Sequence, residues 1–114
     1  MHEASLAFSV LDVVTGLCTA QGYKAIKAVR VRIGRASGVM PEALIFAFDA
    51  AKAGTAAGNS ELLLDIVRLG GHCNECLGDF DVDGNYLLEC PLCGSGSFKI
   101  ERGYEMEILD MEVD

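Results

Sequence analysis

Histidine is scarce in this sequence: only His2 and His72 occur in 114 residues. Two histidines so placed give no Ser/His/Asp arrangement from which to argue a hydrolase. No uninterrupted apolar run approaches the roughly 18 to 20 residues of a membrane helix, and the run ALIFAF stops at Asp49. The N-terminus has no basic segment and carries Glu3 and Asp12, so a signal peptide is not expected. Positive charge is also in short supply. Nine Lys and Arg face 17 Asp and Glu, a formal net charge of −8, and such a chain is repelled by nucleic-acid phosphates unless it hides a basic patch. The basic residues gather only in YKAIKAVRVRIGR, whose alternation makes them one solvated face of a strand. GRASG lacks the Gly-Lys-Ser/Thr that completes a phosphate-binding loop. These absences predict a cytoplasmic protein without membrane or nucleic-acid partners.

What the chain does have is apolar residues, 51% of the total, enough for a packed core in one modest domain. Residues 4–21 read as an amphipathic helix, with Ala7, Leu11, Val14 and Cys18 on one face and Val10, Val13 and Leu17 beside them. Gly22 marks its end. In AVRVRIG, Val29, Val31 and Ile33 alternate with Arg30 and Arg32, the signature of a half-exposed strand. A second helix starts at Pro41, a residue suited to the first helical position, with Glu42 at the positive end of the dipole. ELLLDIVRL reads as a well-buried strand. YEMEILDMEV alternates again, but its phase shifts at Ile108-Leu109, which predicts a bulge.

Between those last two strands, from Gly70 to about Lys99, the composition changes to Gly, Cys and Asp. The expected fold is therefore α+β: a small three-stranded mixed sheet with two helices, in the order α-β-α-β-insert-β, plus an inserted zinc-ribbon module. The β-α-β part is expected to be a right-handed parallel crossover. The α/β domain takes residues 1–69 and 100–114, and the inserted zinc-binding domain takes residues 70–99.

The insert contains Cys73-x2-Cys76 and Cys90-x2-Cys93, with 13 residues between the pairs. Two such turns can aim four sulfurs at one tetrahedral Zn(II). FDV and YLL flank Asp83-Gly84, a tight-turn signal, so a hairpin is expected to bring the pairs together. Gly78 and Gly94 fall where the backbone curls around sulfur. The competing reading is two disulfides or idle thiols. Ligand spacing, and an odd total of five cysteines in a chain without a secretion signal, oppose it. Four cysteines close the shell and leave no open position for substrate, so the zinc is expected to be structural. Asp79, Asp81, Asp83 and Gly84 mimic the first half of a calcium loop, but Cys90 stands where that loop needs Glu.

Cys18 reads as a small buried hydrophobe. His72, just before the first zinc cysteine, can be solvated, hydrogen-bond a thiolate or ligate another metal. His2 offers more. The N-terminal amine, the His2 amide and the imidazole form fused chelate rings of five and six members, with the Glu3 amide in reach. Such nitrogen donors suit square-planar Ni²⁺ or Cu²⁺.

The opening MHEASLA, the stretch VRIGRASGVMPEALIFAFDAAKAGT with its SGV-x-PEAL signature, both cysteine pairs and the short tail together closely resemble the HypA/HybF family of hydrogenase-maturation accessory proteins. The resemblance covers essentially the whole chain. It implies a nickel metallochaperone, not an enzyme, that binds Ni(II) at His2, with Glu3 adjacent, and helps insert it into [NiFe]-hydrogenase. The same resemblance assigns Cys73, Cys76, Cys90 and Cys93 as the structural zinc ligands. It implies as partners a GTPase of the maturation pathway and the hydrogenase large subunit, and for some members urease accessory proteins. Some members carry a histidine just after a zinc cysteine pair, whereas here His72 precedes the first one. The alternative is a zinc-ribbon adaptor that mediates protein–protein contacts without carrying nickel.

Overall fold

A computed structural model describes residues 3–114; His2, the first of the two histidines, lies outside them. Helix α1 (Glu3–Ala20) buries Ala7, Val10, Leu11, Val14 and Cys18. It ends where Gly22 takes φ 77° and the amides of Gly22 and Tyr23 donate to the carbonyls of Thr19 and Cys18, the pairing that terminates a helix on a left-handed residue. Strand β1 (Ile26–Gly34) follows, then helix α2 (Pro41–Ala51), with Pro41 and Glu42 in its first turn, and strand β2 (Glu61–Val67).

β1 is the centre of a mixed sheet in the order β2-β1-β6, parallel to β2 and antiparallel to the last strand, β6 (Met106–Val113). Its two faces follow from the alternation in β1. Val29, Val31 and Ile33 point inward and are essentially solvent-free, opposite Leu62, Leu64 and Ile66 on one side and Met111, Ile108 and Met106 on the other. Both helices pack on this face. On the outer face Arg32 pairs with Asp65 at 3.0 Å and with Glu107 at 3.2 Å. The expected bulge is present: Val31 pairs with Ile108 but Arg30 with Asp110, so Leu109 is the extra residue.

Three expectations need correction. β2 is not well buried. It is an edge strand, with Leu62 inside and Leu63 37% exposed. On α1, Val13 and Leu17 are 48% and 44% exposed, so the buried stripe is narrower than the apolar pattern. By length and composition, moreover, α1 could span a membrane. Here its apolar stripe is the one that covers the sheet.

A second antiparallel sheet, in the order β4-β3-β5, is built from β3 (Leu69–Cys73), β4 (Asp79–Val82) and β5 (Phe98–Arg102). Only Arg68 separates β2 from β3. The two sheets join at the GRASG loop. The amides of Gly34, Arg35 and Ala36 donate to the carbonyls of Glu105, Val67 and Gly103. A side chain at Gly34 would collide with the Gly103 backbone, and Gly103 itself (φ 118°) lies against Leu69. The stretch that superficially resembles a phosphate loop thus works as a seam. The result is elongated, 53 × 24 × 15 Å.

Candidate metal centre

Each cysteine pair sits in a turn, and the two turns repeat one another bond for bond. The amide of Cys73 donates to Gly78 O and that of Leu77 to Cys73 O; equivalently, Cys90 donates to Ser95 O and Gly94 to Cys90 O. Backbone amides also point at sulfur, from Glu75 and Cys76 to Cys73 Sγ at 3.4 and 3.5 Å and from Leu92 to Cys90 Sγ at 3.4 Å. The fourth residue after each leading cysteine has a left-handed backbone: Gly94 at φ 81° and Leu77 at φ 62°. The sequence pointed to Gly78 for this role. Gly78 is not left-handed, and a side chain there would meet only the tip of Leu92, Cδ1 at 2.6 Å, an exposed group that can turn aside.

The first turn is also the hairpin. β3 runs into Cys73, and β4 leaves at Asp79 and pairs back on β3 through His72–Asp79 to Leu69–Val82. The expected hairpin between FDV and YLL therefore does not form. Residues 83–89 make a loop, with Tyr86 and Leu88 74% and 80% exposed. Phe80 and Phe98 meet edge to face, with centroids 6.1 Å apart, beneath the turns.

All four sulfurs lie within 4.8 Å of one another, Cys73 and Cys93 at 3.6 Å and Cys76 and Cys90 at 3.9 Å. A tetrahedron with metal–sulfur bonds of about 2.3 Å has edges of about 3.8 Å. The sulfur cage therefore has the size of a Zn(II) site, and none of the five cysteines is in a disulfide. Cys73 and Cys90 are buried, while Cys76 and Cys93 face solvent.

Crowding sets the thiol acidities apart. The Cys76 amide, then that of Glu75 and the neighbouring Cys93 and Cys90, outweigh burial and hold Cys73 down to about 6. At Cys93 the Ser95 amide acts in the same sense, but burial and the three neighbouring sulfurs win and push it up to about 12. A bound dication would override these differences by favouring the thiolate at every ligand.

His72 does not contact a sulfur. Its Nδ1 lies 2.8 Å from Asp79 Oδ1, directly across the β3–β4 pair. Asp81 is bound by Arg102 at 2.7 Å and Asp83 by Arg68 at 3.1 Å. The apparent calcium-loop carboxylates are instead engaged by His72, Arg102 and Arg68 along β4 and the residue just after it. Cys18 is buried, and its thiol donates to Tyr23 O at 3.4 Å. Glu3, expected beside nickel, accepts a hydrogen bond at Oε2 from the amide of Met40 at 3.1 Å, a contact that no sequence signal announced.

Comparison with known proteins bears on both ends of the molecule. Residues 1–113 match a family model described as hydrogenase/urease nickel incorporation, metallochaperone, hypA. The chain is 39% identical over 114 residues to a hydrogenase maturation factor HypA of Chlorobium luteolum, covering 100% of this chain and 97% of that one. It is 37% identical to the protein of the same name from Geobacter sulfurreducens, covering 100% of both. A solution structure of the Ni metallochaperone HypA from Helicobacter pylori superposes with a TM-score of 0.66 at 23% identity, over 99% of this chain and 97% of that one, which shows a shared fold.

Proposed function

The chain belongs to the HypA family of hydrogenase-maturation proteins, and from that premise we propose that it is a nickel carrier with a separate structural zinc centre. Zn(II) is held by Cys73, Cys76, Cys90 and Cys93. It supplies the folding energy that a 30-residue insert with few buried side chains lacks. Four thiolates fill the shell, so this metal binds no substrate. Nickel is the cargo. It binds at the N-terminus through His2, with the backbone nitrogens around it completing a planar donor set. The carrier acts with a GTPase of the maturation pathway and delivers to the large subunit of [NiFe]-hydrogenase; delivery to urease accessory proteins is a second outlet of the same chemistry.

The observation that carries this reading is the family match across residues 1–113, which includes His2 and both cysteine turns. His2→Ala is expected to abolish specific Ni²⁺ binding by calorimetry while zinc content stays at one per chain. Unchanged nickel affinity would refute the role of His2. The adaptor reading draws its support from the exposed Leu77, Leu88 and Leu92 on the cysteine module. It predicts partner binding that is indifferent to nickel and to His2.

A further inference from the structure

We propose that the Glu3 side chain is a positioning residue for the N-terminal nickel site and not one of its ligands. The proposal rests on the reading above that nickel binds at His2. Met40 is the N-cap of α2 and makes no side-chain cap of its own. In the common capping box, a Glu three residues into the helix returns its carboxylate to the N-cap amide. That position here is Ala43, which has no carboxylate. Glu3 supplies the missing acceptor from 37 residues away, its Oε2 3.1 Å from the Met40 amide. The negative carboxylate also lies at the positive end of the α2 dipole.

The bond matters because full burial starts only in the second turn of α1. Residues 4 and 5 are exposed, and burial along α1 begins at Ala7. Tying Glu3 to Met40 fixes the first turn of α1 against the first turn of α2. Covalent geometry places the His2 Cα only about 3.8 Å from that of Glu3. Met40, Pro41 and Glu42 line a cleft of about 350 Å³, which Asn85 of the cysteine module closes on the far side. The carboxylate is thus tied to Met40, a residue of the one cleft, among those described, that both halves of the molecule line.

Glu3→Gln and Glu3→Ala separate the two roles. The Gln carbonyl can accept the Met40 hydrogen bond, but a neutral amide is a poor nickel ligand. A positioning role predicts nickel affinity for Glu3→Gln within about twofold of the parent. It predicts a loss of about tenfold for Glu3→Ala, the scale of one charge-assisted hydrogen bond. It also predicts hydrogen exchange at the Met40 amide about tenfold faster in nickel-free Glu3→Ala. Equal nickel losses in both variants, or unchanged Met40 exchange in Glu3→Ala, would overturn it. The exchange measurement needs no nickel, so it judges the tether even if His2→Ala shows that the metal binds elsewhere.

Discussion

The two halves of this molecule are stabilised by different means. The α/β half has a core of 14 buried residues, from Ala7 to Leu62, nearly all aliphatic, with Phe48 fully buried under the sheet. The cluster of the cysteine half has three, Cys73, Phe80 and Cys90, two of them sulfur donors, and Leu69 of β3 is buried apart from it, against Gly103. Burial of apolar area at about 25 cal/mol per Å² can sustain the first. It cannot sustain the second, whose stability has to come from the metal its sulfurs surround. The lesson is that four thiols can substitute for most of a hydrophobic core, and in doing so they make folding of that half conditional on zinc.

The strongest way to break this comparison is to remove one donor. Cys73→Ser is expected to abolish zinc binding, a loss on the scale of about 10 kcal/mol for structural sites, and to unfold residues 70–99. Amide resonances of α1, α2 and β1 should stay dispersed. If metal analysis still finds one zinc per chain, the four-sulfur assignment is wrong. The reciprocal change is Phe48→Ala, expected to destabilise the α/β half by about 3–5 kcal/mol without altering zinc stoichiometry. Thermal unfolding with and without a chelator would separate the two effects.

Acidity sharpens the contrast further. With the four sulfurs gathered, the amides around Cys73 lower it to about 6 from 9.0, so its thiolate favours the assembled module fully above pH 9, and that contribution is lost as pH falls through 6. If folding of this half awaits zinc, its cysteines keep their protons in the metal-free chain, and zinc uptake at pH 7 should release about four. Cys93, raised to about 12, loses its proton to solvent only when the metal takes its place. Zinc affinity should fall steeply below pH 6. Calorimetry in buffers of different ionisation enthalpy reads the proton count directly, and a release well below four at pH 7 would show that the sulfurs are gathered, with Cys73 ionised, before the metal binds.

The smallest effect concerns one backbone angle. Leu77 holds φ 62° where its counterpart in the second turn is Gly94 at φ 81°. A side chain in that conformation costs about 1–2 kcal/mol, partly offset by the greater chain entropy a glycine loses on folding. Leu77→Gly is thus expected to stabilise the zinc-loaded module by less than about 1 kcal/mol, measurable as slower zinc loss to a chelator. Faster loss would show that Leu77 contributes packing that the left-handed turn does not need.

Much of this architecture was legible in the sequence, for local reasons. The bulge showed as a slip in alternation at Ile108-Leu109, because period-two patterning reports directly which face each residue takes. The cysteine turns showed through their spacing. What escaped was set by partners distant in the chain. FDV and YLL looked like two arms around Asp83-Gly84, yet FDV pairs with β3, because the first cysteine turn is itself the connection between those strands. Val13 and Leu17 fit the helical stripe, but nothing local says how wide a stripe the rest of the fold covers. His72 adjoins a zinc ligand in sequence and Asp79 in space, since strand pairing decides its neighbour. The Glu3–Met40 bond joins two helix starts that only the finished fold brings together.

The central claim is that nickel belongs to the N-terminus and zinc to the cysteine module, and one comparison tests it most directly. Nickel affinity and zinc content should be measured on protein beginning at Met1 and on protein carrying an added Gly-Ser before it. The extension replaces the basic amine by a planar amide and crowds the chelate. Nickel binding is predicted to weaken about tenfold or more, roughly 1.4 kcal/mol, with zinc at one per chain in both. Equal nickel affinity in the two proteins would contradict the claim that the terminal amine helps hold the cargo.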